Sequence, residues 1–199
     1  MPQINNHAEY YDSQFEKLNL TESAFNDVMF EDCAFIECDF SQAAFTHCKF
    51  THCTFERCNL SLLDVSATKL FELDFIDCKL LGIDWVKAIW AFYHRDFNLS
   101  FVRCVLNDSS FFGLTLHELV LDACTVHNVD FREGDYTDSA MTDCDFRHSL
   151  FMHTNLQSVD FTDSFNYVID VLENNVKKAT FSRLEAMSLL EGLGIVLVD

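Results

Sequence analysis

Residues 33–58 of the chain read CAFIE CDFSQ AAFTH CKFTH CTFER C when they are written in groups of five. Each complete group has Phe at its third position and Cys or Ala at its first. The spacing continues outward in both directions: every fifth residue is large and apolar up to Trp90, and the pattern resumes one residue out of phase at Phe101. These centres are Phe15, Leu20, Phe25, Phe30, Phe35, Phe40, Phe45, Phe50, Phe55, Leu60, Val65, Leu70, Phe75, Leu80, Trp85, Trp90, Phe101, Leu106, Phe111, Leu116, Leu121, Val126, Phe131, Tyr136, Met141, Phe146, Phe151, Leu156 and Phe161.

The residue two places before each centre is a second inward position. It is mostly small or apolar and holds all nine cysteines, which are Cys33, Cys38, Cys48, Cys53, Cys58, Cys78, Cys104, Cys124 and Cys144. No Asp or Glu occupies either inward position, so two residues of every five are buried and three face solvent. This pattern fits neither an alternating strand nor a 3.6-residue helix, and it predicts an all-β solenoid. The period alone does not fix the number of faces, although the even spacing of Cys104, Cys124 and Cys144 favours four.

The composition restricts the partners of this protein. The 199 residues include 32 acidic and 13 basic side chains, which gives a formal net charge of -19. Each phosphate contact would have to overcome repulsion, so direct binding of nucleic acid is disfavoured and a basic protein surface is the natural complement. No segment approaches the roughly 18 apolar residues of a membrane span, and the N-terminus lacks the features of a signal peptide. We therefore expect a cytoplasmic protein that does not enter a membrane.

The sequence contains no arrangement typical of catalysis or metal binding. Inward cysteines in parallel rows do not converge as the ligands of zinc do, and their Cβ atoms are poorly directed for disulfides. We interpret them as small buried side chains. No phosphate-binding loop, dinucleotide fingerprint or nucleophile elbow occurs, and a rod filled with Phe offers no cleft. We therefore expect a protein that is not an enzyme and has no cofactor, metal or catalytic residue.

One interruption of the period lies near residues 91–98, directly after Trp90. This segment is aromatic and contains an arginine, and exposed Tyr, Phe and Arg are typical of binding hot spots. Two interpretations stay open: the side chains contact a partner, for which Phe92, Tyr93 and Arg95 are the best candidates, or they fill the interior of an irregular coil. The candidate partner-binding loop comprises Phe92, Tyr93, His94, Arg95, Asp96 and Phe97.

The C-terminus also departs from the period. An interruption near residues 166–175 precedes Val176 and Phe181, which, like Val171, keep the later register. Ser182 and Glu185 are spaced as a capping box and predict a helix, and residues 195–199 predict a short strand. A solenoid needs a cap at its open end, and the apolar surface here exceeds that need, so we expect an isologous dimer. The candidate dimer interface comprises Leu184, Met187, Leu190, Leu193, Ile195 and Leu197.

The groups at residues 33–37 and 38–42 resemble the repeats of the pentapeptide-repeat proteins, which have a small residue, Asp or Asn, Leu or Phe, and then two polar residues. The resemblance covers about residues 13–181. It implies a right-handed quadrilateral β-helix with Phe and Leu centres filling the interior. The organisation we expect is a lead-in at residues 1–12, the β-helix with its two interruptions at 13–181, and a capping helix with a dimerisation strand at 182–199.

Other segments resemble the subgroup of this family that protects DNA gyrase, namely the Qnr-type quinolone-resistance proteins and the albicidin and microcin immunity proteins. Residues 58–62 (CNLSL), 77–85 (DCKLLGIDW) and 106–109 (LNDS) look closest to the albicidin-immunity branch, and residues 188–191 (SLLE) resemble the subgroup's capping helix. The resemblance implies a homodimeric rod with the size and charge of duplex DNA. Such a rod binds the DNA-holding surface of gyrase or topoisomerase IV.

The charge agrees with a DNA mimic. Seven coils make a rod of roughly 35 Å, over which duplex DNA carries about 20 negative charges. With four groups to a coil, the candidate acidic positions fall on two faces: Asp122, Asp143, Asp160 and Asp163 on one, and Glu118, Asp135 and Asp138 on another. The leading hypothesis is a DNA-mimicking protein that binds gyrase and protects it from a poison such as a quinolone, albicidin or a microcin-like toxin. The alternative is a non-catalytic scaffold for another basic-surfaced partner, because a fold does not specify a function.

Overall fold

The computed structural model describes residues 3–90 and 97–195. Its regular structure consists of short β-strands with two 3₁₀ helices, at Trp85–Lys87 and Glu185–Leu193. The strands are β1 (Glu9–Tyr11), β2 (Gln14–Glu16), β3 (Ala24–Asn26), β4 (Met29–Glu31), β5 (Ala34–Ile36), β6 (Ala44–Thr46), β7 (Lys49–Glu56), β8 (Lys69–Ile76), β9 (Leu99–Val102), β10 (Val120–Asp122), β11 (Ala140–Thr142), β12 (Asp160–Phe161) and β13 (Thr180–Phe181).

Each strand pairs in parallel with the chain one coil further on. Phe15 pairs with Phe35, and Phe35 with Phe55, so four consecutive groups make one coil. Each group forms one face, and the predicted solenoid is confirmed as a right-handed quadrilateral β-helix.

We number the faces 1 to 4 in chain order. Their centres are Phe15, Phe35, Phe55, Phe75, Phe101, Leu121, Met141 and Phe161 on face 1; Leu20, Phe40, Leu60, Leu80, Leu106, Val126 and Phe146 on face 2; Phe25, Phe45, Val65, Trp85, Phe111, Phe131 and Phe151 on face 3; and Tyr10, Phe30, Phe50, Leu70, Trp90, Leu116, Tyr136 and Leu156 on face 4. Face 1 is therefore next to face 4 and opposite face 3.

A left-handed residue makes almost every corner of the coil. The residue two places after the centre has a positive φ there, between 45° and 62° where it is not glycine. Its backbone N–H points along the solenoid axis: Asp12, Lys17 and Glu22 donate to the carbonyls of residues 31, 36 and 41 at 3.1, 2.9 and 3.0 Å. A non-glycine residue in this conformation costs about 1–2 kcal/mol, which such a hydrogen bond offsets by about 0.5–1.5 kcal/mol. The fold can therefore turn repeatedly with five Gly and one Pro.

Aromatic columns fill the interior. On face 1 the rings of Phe15, Phe35, Phe55, Phe75 and Phe101 stack with centroids 4.7–5.0 Å apart and planes within 12° of parallel. That separation matches the distance of about 4.8 Å between paired strands. Because each buried Phe contributes about 1.5–3 kcal/mol, the core provides the stability that the corners do not.

The second inward position does more than fill space. All nine cysteines are buried and free. Cys58 accepts a hydrogen bond from the Cys38 N–H at 3.4 Å and donates one to the Phe35 carbonyl at 3.3 Å. Ser139 makes the same two bonds, to Leu119 at 3.0 Å and Leu116 at 3.4 Å. Burial raises the pKa of the Cys53 thiol to about 12, so the thiol stays protonated at neutral pH.

The first interruption lengthens one coil. Lys69 pairs with Ile89, one regular coil further along the chain. Leu73 pairs instead with Leu99, which lies six residues beyond the partner that a regular coil would give it. The insertion thus lies between Ile89 and Leu99. Residues 91–96, which include the predicted loop side chains Phe92, Tyr93, His94, Arg95 and Asp96, lie outside the described residues.

The second interruption shortens one face near the C-terminal end. Phe151 pairs with Ile169, two positions short of the regular spacing, which returns when Asn155 pairs with Asn175. Ile169 is buried in place of Val171, so the prediction that Val171 keeps the register is wrong. Val176 and Phe181 do pack on the core.

The C-terminal segment differs from the expected capped helix. Its helix, Glu185–Leu193, is 3₁₀ rather than α. Ser182 does not form the predicted capping box, because its Oγ accepts from the Asp163 N–H at 2.8 Å and donates to the Asp163 carboxylate at 3.2 Å. Residues 196–199 of the predicted strand lie outside the described residues.

Ser and Ala at position 124 should differ in their effect on stability. The Cys124 thiol accepts a hydrogen bond from the Cys104 N–H and donates one to the Phe101 carbonyl, both at 3.3 Å. Cys124→Ser keeps both bonds and should change the free energy of unfolding by less than about 1 kcal/mol, whereas Cys124→Ala should lower it by about 1–3 kcal/mol. Urea denaturation followed by circular dichroism measures both. Equal losses of unfolding free energy in the two variants would show that the hydrogen bonds contribute nothing and that the site requires only a small side chain.

Candidate partner-binding surface

Seven acidic residues form one continuous surface. Residues 114–123, 134–143 and 154–163 make faces 4 and 1 of three successive coils, and these stretches contain no Lys or Arg. The sequence placed the acids on two separate faces. The structure brings the two faces together at a shared corner, where Glu118 and Asp138 lie. We call this the acid surface; it comprises Glu118, Asp122, Asp135, Asp138, Asp143, Asp160 and Asp163.

The other two faces of the same coils carry cations that are already paired. Arg132 contacts Asp130 with nitrogen–oxygen distances of 2.9 and 2.7 Å, and this pair lowers the pKa of Asp130. Arg147 lies 3.6 Å from Asp145, whose other neighbours include His127 at 2.8 Å. The two sides of the solenoid therefore differ in net charge beyond the insertion.

Before the insertion, faces 4 and 1 carry basic as well as acidic side chains, and several of them form ion pairs. Along the corner between faces 1 and 2, Glu37 lies 3.6 Å from Lys17 and 3.3 Å from Arg57, and Arg103 contacts Asp77 at 2.7 Å. Along the corner between faces 4 and 1, His52 bridges Asp32 and Glu72, at 3.4 and 2.8 Å. These faces are net acidic before the insertion as well, but Lys17, Lys49, Arg57 and Lys69 lie among their acids, and three successive coils free of Lys and Arg occur only after it.

The seven acids fall into two groups. Glu118, Asp138, Asp143 and Asp163 are exposed corner residues, with φ between 52° and 60°. Asp122, Asp135 and Asp160 are half-buried within the faces and accept hydrogen bonds. Asp160 accepts from both the N–H and the hydroxyl of Thr162, at 2.9 and 2.5 Å. Within the described residues, only Asp163 among the corner acids accepts a side-chain hydrogen bond, from Ser182, whereas Asp135 and Asp160 accept from backbone N–H groups and Asp122 accepts from the Thr142 hydroxyl.

A groove lies where the acid surface meets the insertion. It has a volume of about 460 Å³ and is lined by Asp74, Asn98, Leu99, Ser100, Glu118, Val120, Asp138 and Ala140. Two of the corner acids, Glu118 and Asp138, form part of its wall. The groove gives a partner's basic side chains a recess whose wall includes the carboxylates of Asp74, Glu118 and Asp138.

One member of the predicted loop belongs to the core. Phe97 is buried, and its ring packs edge to face on Trp90 with centroids 5.0 Å apart. Trp90 in turn donates from Nε1 to the Trp85 carbonyl at 2.9 Å. Phe97 therefore fills the interior, as one of the two sequence interpretations expected, and the expectation that it contacts a partner is wrong.

The predicted dimer residues are mostly exposed. Leu184, Met187, Leu193 and Ile195 are exposed, Leu190 is half-buried, and Leu197 lies outside the described residues. In residues 3–90 and 97–195, no group of three His, Cys, Asp or Glu side chains is placed to hold a metal ion. Across those same ranges, no helix has the length and apolar character that crossing a bilayer requires.

A family model described as a pentapeptide repeat region matches residues 28–99 and 96–161, and the chain therefore belongs to the pentapeptide-repeat family. No curated protein matches the chain. Two solved structures of trypsin-treated variants of QnrB1, a plasmid-mediated fluoroquinolone resistance protein, are similar at 16% identity and a TM-score of 0.56. These alignments cover 96% and 98% of this chain and 99% of each QnrB1 chain. At this identity the likeness establishes the fold alone.

The two groups of acids should respond differently to substitution. Asp135 accepts hydrogen bonds from the N–H and hydroxyl of Thr137 at 3.1 and 2.6 Å and from the Asn155 side chain at 3.0 Å. Burial raises the pKa of Asp135, but these hydrogen bonds outweigh that effect, so the pKa is lowered. We expect Asp135→Ala to reduce the free energy of unfolding by about 1–3 kcal/mol at pH 7. We expect the exposed-corner control, Asp138→Ala, to change it by less than about 1 kcal/mol.

The sign of the pH dependence follows from the lowered pKa. An acid with a depressed pKa in the folded state stabilises the protein above its unfolded pKa of about 3.9, and this stabilisation is lost as the pH falls through the folded pKa. The charge-dependent part of the Asp135→Ala loss should therefore shrink below about pH 4 in thermal melts. A loss that stayed constant from pH 7 to pH 3 would contradict this assignment.

Proposed function

We propose that this protein mimics duplex DNA, binds a type II topoisomerase such as DNA gyrase, and protects it from a poison. The observation that carries the proposal is the acid surface, which lacks Lys and Arg over three coils. Three coils span about 14 Å, over which duplex DNA carries about eight charges. The acid surface carries seven carboxylates over the same length. The likeness to QnrB1, a fluoroquinolone resistance protein, supports this choice of partner through the shared fold.

The mechanism is electrostatic. The corner acids dock on the basic surface that otherwise holds DNA, and the groove beside Glu118 and Asp138 receives basic side chains of the enzyme. Complementary charge speeds association and selects the partner. Occupation of that surface displaces the drug or toxin or destabilises the poisoned complex. In this proposal the protein acts in the cytoplasm, without cofactor or catalysis, and as a dimer joined through its C-terminus.

The experiment is a gyrase supercoiling assay with a fluoroquinolone, in which the wild-type protein should restore supercoiling. The test variant combines Glu118→Gln, Asp138→Asn, Asp143→Asn and Asp163→Asn. The control combines Glu22→Gln, Asp27→Asn, Asp108→Asn and Glu133→Gln, which are also exposed corner acids but lie on the other two corners. Both variants move the formal charge from -19 to -15, a difference of four.

We expect the test variant to need at least about tenfold more protein for the same protection, and the control to stay close to the wild type. Equal losses in both variants would show that total charge, rather than the acid surface, determines binding. If the wild-type protein had no effect with a fluoroquinolone or albicidin over a wide concentration range, the alternative of a scaffold for another basic-surfaced protein would replace the proposal.

A further inference from the structure

The charge on faces 4 and 1 reverses in the coil that follows the acid surface. Residues 174–183 make these two faces one coil beyond residues 154–163, since Phe161 pairs with Phe181 at the regular spacing. The stretch 174–183 contains three basic side chains and no Asp or Glu, whereas the acid surface has seven carboxylates and no Lys or Arg. We call the three basic residues the basic band; it comprises Lys177, Lys178 and Arg183.

The cations of the basic band are exposed and have no partner in the described part of the chain. All three side chains face solvent, and none forms an ion pair there. By contrast, Arg132 on face 3 contacts Asp130 at 2.7 Å. Asp163 occupies the position of Arg183 one coil earlier, but it accepts a hydrogen bond from Ser182 at 3.2 Å instead. The band therefore keeps its positive charge for a contact outside the chain.

A partner that lies on the acid surface must also meet the basic band. Along the corner between faces 4 and 1, Lys178 follows Ser158 and Asp138 in successive coils. Successive coils are about 4.8 Å apart, which is less than the distance of about 8 Å over which physiological salt screens a charge. The carboxylates and the band therefore act on the same partner surface.

Imitation of DNA does not account for the basic band. Duplex DNA is negative along its whole length and presents no cation to the enzyme that holds it. A uniformly basic partner surface would repel the band. The seven carboxylates beside the band also keep a nucleic acid away from it. The chemistry that fits the band is therefore a set of acidic side chains on the protein partner itself.

We infer that the partner carries acidic side chains next to its basic surface, and that the basic band contacts them and fixes the direction in which the partner lies along the rod. A surface of one sign attracts an oppositely charged partner in either direction. A surface that changes sign repels the partner in the wrong direction, since like charges then meet. The inference rests on the proposed function, because it takes the acid surface to be where the partner binds.

The test is the equilibrium binding of the full-length protein to gyrase in the absence of DNA, followed by fluorescence anisotropy of the labelled protein. The test variant combines Lys177→Glu, Lys178→Glu and Arg183→Glu. The control combines Lys69→Glu, Lys79→Glu and Lys87→Glu, which are also exposed and without an ion pair in the described part of the chain, but precede the insertion. Both variants move the formal charge from -19 to -25, a difference of six.

We expect the test variant to bind gyrase at least about tenfold more weakly than the wild type, because its new carboxylates meet the partner's acidic side chains. The control should bind at least as tightly as the wild type, since added negative charge favours a basic partner. The two variants thus carry the same charge and change affinity in opposite senses or not at all. Circular dichroism melts check that both are folded, and sedimentation velocity checks their association state.

Four results would overturn the inference. The first is a test variant that binds as tightly as the wild type or more tightly, which would show a partner surface of one sign. The second is an equal loss of affinity in both variants, which would show a general effect of charge. The third is a loss that occurs only when duplex DNA is bound to gyrase, because the band would then contact DNA phosphates. The fourth is a changed association state in the test variant alone, because the band would then act between copies of the chain.

These failures are distinguishable from failure of the proposed function. Wild-type protein that does not bind gyrase would reject the proposed function and with it the basis of this inference. Wild-type protein that binds, with an affinity that the test variant retains, would reject the role of the basic band and leave the proposed function intact.

Discussion

The hydrogen bond at each corner is the constraint on which the rest of the structure depends. A left-handed residue every five positions turns the chain, and its N–H joins a carbonyl of the next coil. Once the corners are fixed, two side chains of every five must point inward. The stacked Phe columns and the bridging thiols and hydroxyls follow from that geometry, because successive coils place like residues above one another at the strand spacing.

Much of the fold could be predicted from the sequence because inward positions tolerate few residue types. Phe and Cys at fixed spacing predict the core and the β-helix. The hydrogen bonding of the cysteines was missed, although Ser and Thr at the same position, as in Ser139 and Thr154, were a readable signal. The left-handed corners carry no signature residue, since Asp, His, Arg and Ala all occupy them. The shift to Ile169 depends on packing at the solenoid's end rather than on the local period.

The candidate surfaces were less predictable because packing in the core does not restrict the size or polarity of residues that point outward. The acids themselves were found from the sequence. That they form one surface depends on face 4 lying beside face 1, which requires the coil length and the order of faces. Exposed apolar side chains such as Leu150 and Val168 were missed because they stand beside the centres, where they look like ordinary members of an apolar-rich chain. The solenoid thus presents carboxylates on faces 4 and 1, and exposed apolar side chains beside the centres of the last coils of face 3.

The central claim is that the acid surface takes the place of DNA. The most direct measurement is equilibrium competition, in which a fluorescent duplex bound to gyrase is titrated with this protein at several salt concentrations. If the protein competes with DNA, it raises the apparent dissociation constant of the duplex in proportion to its own concentration, and its binding weakens steadily with salt, as it does for a polyanion. A complex that holds gyrase, duplex and this protein together, with the affinity for duplex unchanged, would contradict DNA mimicry.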